Sequence, residues 1–399
     1  MNKRIVKDRI LNAVTYIFSS FGVLILILIF VYIFSNGTKL LSFNLLKDDY
    51  YSKSYTVKYL EDYHGNFMYN SKENEYFSSN WGIAFIDTTS TEGNKVVKIS
   101  YIDEYSPLNN MIDASNNQYI SLKEGQVINK GVLVGSNDEI ITIGSKDSAK
   151  MVASKFNSAI KFTNLSISIG GGGIRGSLIA TILLIVITLI IAIPIGSCAA
   201  IYLSIYAKKN KFTTTLETMI DMIGGIPSII FGLVGVIVFI PTLNKIIKSD
   251  GASLMAGALT LAIMLLPIII KTTSESINTI PKSLQEASLA LGASQTQTTF
   301  KIILPNAIPG ILTSILLCIG RIIGESAALI FVTGSQIMDK ISIKSKGTTL
   351  STHIWNLLGG ENPNYNLACT ISIVILAVVL VLNIIVKLVG KKLNKFERI

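Results

Sequence analysis

Residues 283–305 read SLQEASLALGASQTQTTFKIILP, a stretch of small and polar residues set between two long apolar runs. Ser283 and Glu286 fit a capping box, in which hydroxyl and carboxylate would each satisfy an orphan amide of the first turn. Leu284, Ala287, Ser288 and Leu291 then recur at helical spacing and form a narrow face of leucine and small residues. Gly292 stands where such a helix would end in the left-handed conformation. A second short helical run follows and is expected to end at Leu304-Pro305. A face this small is no core by itself, so the element is expected to dock on a partner protein or on a membrane surface.

The runs on either side, 252–270 and 307–333, are long enough to cross a bilayer, and so are 14–34, 178–205, 223–241 and 367–389. Pro194 lies in the second half of its span and is expected to kink it. The first run is too long for a secretory signal and lacks a small-residue cleavage pattern, so it reads as a retained span. Half of the 399 residues are hydrophobic and only 15% are charged. Soluble proteins average about 25% charged residues, so a soluble globular enzyme is excluded.

The net charge of +10 is unevenly spread. Residues 37–170 hold 13 lysines and 15 acidic residues, whereas the remainder holds 22 basic and 10 acidic ones. Positive charge therefore flanks the apolar spans, which marks topology rather than nucleic-acid binding. Lys3, Arg4, Lys7 and Arg9, then Lys208, Lys209 and Lys211, then Lys391, Lys392, Lys395 and Arg398 fall on one side if there are six spans. Both termini and the 271–306 loop, with Lys271, Lys282 and Lys301, are then expected in the cytoplasm, with 37–170 outside. Three domains follow: 1–36 with the first span, 37–170 outside, and 171–399 as a five-helix core.

Val96–Ile102 and Glu139–Ile143 of the outer block read as strands. Val152, Phe156, Ala159 and Ile160 read as one face of a helix beginning after Asp147 and Ser148. Gly170 to Gly173 make a four-glycine joint, and His64 is an ordinary surface residue. No nucleophile–base set, metal spacing or phosphate loop stands out, and Cys198, Cys318 and Cys369, all in apolar runs, imply neither a disulfide framework nor a cysteine metal site. No G-x-x-x-x-G-K-[ST] occurs anywhere, so the chain carries no ATPase motif of its own.

Glu286-Ala287-Ser288, three residues, Gly292, nine residues and Ile302-Ile303-Leu304-Pro305 together resemble the EAA loop of ABC-transporter permeases, with Ser288 for the usual second alanine. Residues 170–207, 224–233 (GGIPSIIFGL), 320–334 (GRIIGESAALIFVTG) and TTLSTHIWNL before the last span resemble phosphate-type importer permeases, of the PstA kind rather than its sister type. The resemblance implies an all-α polytopic membrane protein of six helices, of the type I importer-permease kind. Into it is inserted an extracytoplasmic domain of mixed α/β or mainly β character, where a much shorter loop is usual. It implies a bacterial cell-membrane location and import of inorganic phosphate. It also implies as partners an ATP-binding cassette subunit in two copies, a second related permease, an extracytoplasmic phosphate-binding protein and the lipid bilayer. No nucleic acid, cofactor, metal or catalytic residue is implied. Glu286, Ala287, Ser288, Gly292, Ile302, Leu304 and Pro305 would form the coupling loop that fits the ATPase.

Arg321 and Glu325 lie inside span five, four residues apart, and are expected on one helical face. An arginine near a bilayer centre costs about 2.5–3.5 kcal/mol on insertion scales and usually lines a cavity or pairs. Arg321 could present its donor fork to a translocating anion with Glu325 tempering it, or the two could form a purely structural pair. Gly225, Pro227 and Ser228 open span three. They would offer an anion the free amides of a helix start, or simply pack closely. A permease for sulfate or molybdate, the sister phosphate permease, an ion-driven transporter and a membrane-anchored sensor are the competing readings.

Overall fold

The computed structural model describes residues 3–50, 53–70, 72–89, 95–115, 117–169, 171–249, 251–359 and 363–393; Gly170, Lys395 and Arg398 lie outside them. The chain divides into two compact units, Ser42–Arg175 and the remainder, which runs up to Leu41 and resumes at Gly176.

Helix α1 (Lys3–Gly37) belongs to the second of these, whereas α2 (Phe43–Lys47) opens Ser42–Arg175. That unit continues through β1 (Lys53–Tyr59), β2 (Glu75–Ser78), β3 (Ile83–Thr89), β4 (Lys95–Ile102), β5 (Met111–Asp113), β6 (Tyr119–Ile120), β7 (Val127–Gly135), β8 (Ile140–Ile143), α3 (Ala149–Ser158) and β9 (Ala159–Ile169). The strands form one antiparallel sheet in the order β2-β3-β4-β7-β9-β1-β5-β6, with β8 also paired to β7. Helix α3 starts where Ser148 Oγ accepts from Met151 N–H and Asp87 Oδ1 accepts from Ala149 N–H at 2.8 Å. It ends at Ser158, two residues earlier than its apolar spacing indicates. Ala159 and Ile160 belong to β9, where Phe162, Leu165 and Ile167 are buried and the strand is held between β7 and β1. The core centres on aromatic edges: Trp81 meets Phe162 at 4.3 Å and donates its indole N–H to Ala159 O at 2.9 Å, while Phe85 meets Phe156 at 4.8 Å. Buried indoles need such a partner.

The remaining helices are α4 (Arg175–Ile201), α5 (Lys211–Gly224), α6 (Ser228–Val234), α7 (Ile240–Ile247), α8 (Leu254–Asn278), α9 (Lys282–Ala290), α10 (Gln295–Thr298), α11 (Leu304–Gly324), α12 (Ala327–Thr333), α13 (Leu350–Gly359) and α14 (Tyr365–Leu393). Wide π turns at Tyr202–Tyr206, Gly235–Phe239 and Thr299–Ile303 extend or join them. Among the described residues six helical stretches are long and apolar enough to span a bilayer: Lys7–Leu40, Arg175–Tyr206, Ser228–Ile247, Leu254–Asn278, Gln295–Gly324 and Tyr365–Lys392. Helix α8 is the most enclosed. Its Ala256, Gly257, Ala258, Thr260 and Ala262 are all buried, the small-residue composition that brings membrane helices close. Leu261, Leu265 and Ile269 continue that core against Leu184 of α4 and Ile319 and Ile322 of α11.

Four expectations need correction. Span five is not helical to 333: α11 stops at Gly324 and α12 resumes at Ala327. Span four runs on about two turns past 270, so all of 271–278 is helix rather than loop. The second helical run does not end at Leu304-Pro305 but continues without interruption into α11. Proline lacks the N–H for an ordinary helical bond. Here a π turn precedes it, in which Leu304 N–H reaches back to Thr299 O. Pro305 stands directly after that wide turn, the kind of helix irregularity at which proline is found. Residues 206–222, which carry Lys208, Lys209 and Lys211 and read from the sequence as a loop between spans two and three, contain a helix, α5, started by Asn210 Oδ1 accepting from Thr213 N–H at 2.9 Å.

Candidate transport site and coupling loop

Helix α9 begins at Lys282 with Pro281 as its N-cap residue, and no side chain caps it. Ser283 and Glu286 therefore form no capping box. Proline's fixed φ of −58° starts the helix one residue early and leaves Ser283 inside the first turn. The true box is at α10, where Ser294 Oγ accepts from Gln297 N–H and Gln297 Oε1 accepts from Ser294 N–H. An S-x-x-Q at 294–297 was the readable signal for it. Between the two helices, Gly292 takes φ +85°, its N–H bonds to Leu289 O and Ala293 N–H to Ser288 O. That pair of bonds is a complete Schellman turn, and its left-handed residue needs glycine.

The amphipathic face divides in two. Ser288 turns inward and its hydroxyl lies 2.8 Å from that of Thr298, a buried residue on α10 that spacing alone did not single out. Leu284, Ala287 and Leu291 (89% exposed) turn outward, with Glu286 beside them and no side-chain hydrogen bond to it among the described residues. Ile302, Leu304 and Pro305 are half-buried in the π turn and the first turn of α11. Ile303 and Ala307 pack on Ile277 with Ile201 and Ile205 around them, and Tyr206 OH donates to Thr299 Oγ1 at 3.2 Å. The loop is thus fastened to the ends of α4 and α8 while one face stays open.

Arg321 and Glu325 do not share a helical face. Arg321 is exposed in the last turn of α11, where the free carbonyls of a helix end favour a cation. Gly320 and Gly324 beside it have nothing within 4 Å of where a Cβ would stand. Glu325 has left the helix, with φ −77° and ψ 123°, and is 8% exposed. Its Oε1 accepts from Ala328 N–H at 3.0 Å, so its carboxylate closes the start of α12. Among the described residues no carboxylate lies within 4.0 Å of the Arg321 guanidinium. The expected intrahelical pair is absent because the helix breaks between the two residues.

Gly225, Pro227 and Ser228 sit at the junction of α5 and α6. Gly225 caps α5, Pro227 precedes α6, and Ser228 is its first residue. None of the three bonds to Arg321 or Glu325. Further along, a Cβ on Gly232 would meet the backbone of Ala328 at 2.9 Å, so α6 and α12 pack at a distance only glycine allows.

Helix α13 carries Trp355, half-exposed, and His353, which is fully buried rather than at an interface. His353 Nδ1 lies 2.9 Å from Ser177 Oγ, and burial pushes its pKa down to about 4. The ring is neutral in the fold at pH 7. A histidine held below its ordinary value of about 6.5 contributes stability that is complete above that value. That stability is lost as pH falls from about 6.5 to about 4, a difference on the order of 3 kcal/mol. Thermal unfolding of the detergent-solubilised protein should show this as a Tm drop between pH 7 and pH 4.5 that is smaller in His353→Gln. An equal drop in the variant would remove His353 from the acid response.

Residues 192–396, just over half of the chain, match the family described as binding-protein-dependent transport system inner membrane component. A probable ABC transporter permease protein, YqgI of Bacillus subtilis (strain 168), is 34% identical over 49% of this chain and 69% of its own length. The phosphate transport system permease protein PstA of Yersinia pestis is 32% identical over 56% of this chain and 74% of its own. A PstA homolog of Mycoplasma pneumoniae is 34% identical over 47% of this chain, which spans only 29% of that longer protein. The matched region holds the EAA-type loop, the broken fifth span and most of the apolar helices, and the chain belongs to the binding-protein-dependent inner-membrane permeases of ABC transporters, among which it is PstA-like.

Proposed function

We propose that this permease passes inorganic phosphate inward across a bacterial cell membrane, with ATP hydrolysed by a separate subunit that docks on the open face of α9. The observation that carries the substrate reading is Arg321: a guanidinium in a bilayer-spanning helix, flanked by two glycines, with Glu325 engaged elsewhere. An intramembrane arginine without a partner is costly unless something polar meets it. A guanidinium's planar fork of donors matches the oxygens of phosphate. The helix end at Gly324 and the start of α12 at Ala327 lie close to Arg321 in sequence, and transporters commonly hold ions and substrates at the ends of interrupted helices. The relative in Yersinia pestis is named as a phosphate permease, which supports the same substrate.

The basic flanks of the spans favour cytoplasmic termini and coupling loop, and an outer placement for Ser42–Arg175. One coupling loop and six spans call for a second, related permease. Two ATPase subunits and a phosphate-binding protein outside would complete the assembly. Glu286, Ala287, Ser288, Gly292, Ile302, Leu304 and Pro305 form the coupling element; Arg321, Glu325, Gly225, Pro227 and Ser228 line or shape the path. The direct test is to purify the chain with its partners, reconstitute it in liposomes and measure ATP hydrolysis with phosphate, sulfate or molybdate. Phosphate should stimulate turnover several-fold and the other two should not. Stimulation by sulfate or molybdate alone would transfer the assignment to that oxyanion.

A further inference from the structure

We propose that Ser351 is a positioning residue for the anion site, acting by holding span five in its broken form and so keeping Glu325 away from Arg321. The proposal rests on the reading of Arg321 as the site that meets phosphate. Its hydroxyl donates to the backbone carbonyl of Glu325 at 2.7 Å. In an unbroken helix that carbonyl would accept from the N–H four residues on, and Glu325 would stand one turn from Arg321 on the same face. Opposite charges at that spacing pair, and the guanidinium would be occupied.

The break leaves the Glu325 carbonyl without its helical donor, in surroundings where water is scarce and an unmet carbonyl is costly. Ser351 supplies a donor that only the broken form needs. The hydroxyl is not floating: α13 is fastened to α4, with Leu350 N–H donating to Thr181 Oγ1 at 2.9 Å and His353 meeting Ser177. Thr349 Oγ1, 3.0 Å from Ser351 Oγ, steadies it further. Thr181, Thr349 and Thr352 are buried to within 1%. These hydroxyls therefore act as a support behind the site and do not touch the substrate.

The test is uptake of radiolabelled inorganic phosphate by the assembled transporter, with apparent KM and Vmax measured for Ser351→Ala, Ser351→Thr, Glu325→Gln and the Ser351→Ala/Glu325→Gln double variant. Ser351→Ala should raise KM about tenfold with Vmax changed less than twofold, and Ser351→Thr should restore KM. In the Glu325→Gln background, which carries no negative charge to pair with Arg321, Ser351→Ala should leave KM where Glu325→Gln alone puts it, since the two changes act through one contact. An unchanged KM in Ser351→Ala, or an equal rise in both backgrounds, overturns the proposal while leaving the phosphate site intact. Normal uptake by Arg321→Ala overturns the site itself and this inference with it.

Discussion

Arg321→Ala is expected to reduce phosphate uptake by at least about a hundredfold while the complex still assembles in the membrane. A hydrogen bond to a charged group contributes roughly 1.5–3 kcal/mol, and a guanidinium can make two to one phosphate. Losing both corresponds to about 3–6 kcal/mol, more than enough for a hundredfold change. Folding should tolerate the substitution well, since Arg321 is exposed and has no carboxylate partner among the described residues to leave stranded. Arg321→Lys should fall between the two, because a lysine keeps the charge and loses the fork. Uptake in cells, set against the amount of co-purified ATPase subunit, separates transport loss from assembly loss. Uptake within twofold of the unaltered protein would reduce Arg321 to an incidental charge.

The second large effect is expected at Gly292. Its φ of +85° costs an ordinary L residue about 1–2 kcal/mol, and a β-branched one more. Gly292→Val should distort the Schellman turn that sets α9 against α10. Phosphate carried per ATP hydrolysed should then fall about tenfold while membrane insertion stays normal. Glu286→Lys makes an instructive companion, because Glu286 is exposed and its carboxylate bonds to none of the described residues. A loss of coupling there has to come from a partner that meets α9, whereas loss at Gly292 can arise within the loop. If both variants transport and hydrolyse at the normal ratio, α9 is not the coupling element.

The spans were readable because an apolar run of bilayer length has few alternatives. The strands at 95–102 and 140–143 and the start of α3 were readable because their periodicity is local. What failed has two causes: some deciding contacts lie far along the chain, and elsewhere two local signals competed. The apolar run 307–333 gives no hint that Glu325 leaves the helix, because its stabilising partners are a neighbouring amide and Ser351, 26 residues away. Ser283/Glu286 and Ser294/Gln297 both match a capping pattern, and Pro281 tips the choice against the first. Helix α5 was hidden by threonines, which favour helices weakly on their own but are carried here by a side-chain cap and by packing on α8. The amphipathic pattern of α13 is compatible with an interface position for His353, and only its meeting with Ser177 reveals the burial.

The first and last strands of the unit Ser42–Arg175 lie side by side, Lys53 opposite Ile169. Leading into and out of them, Gly172 N–H bonds to Tyr50 O and Ile174 N–H to Leu45 O. The two ends of the unit thus lie about one strand spacing, roughly 4.8 Å, apart. A unit with adjacent ends is modular: it can be acquired or lost as a single cassette, and segments of that kind are the ones domains tolerate best.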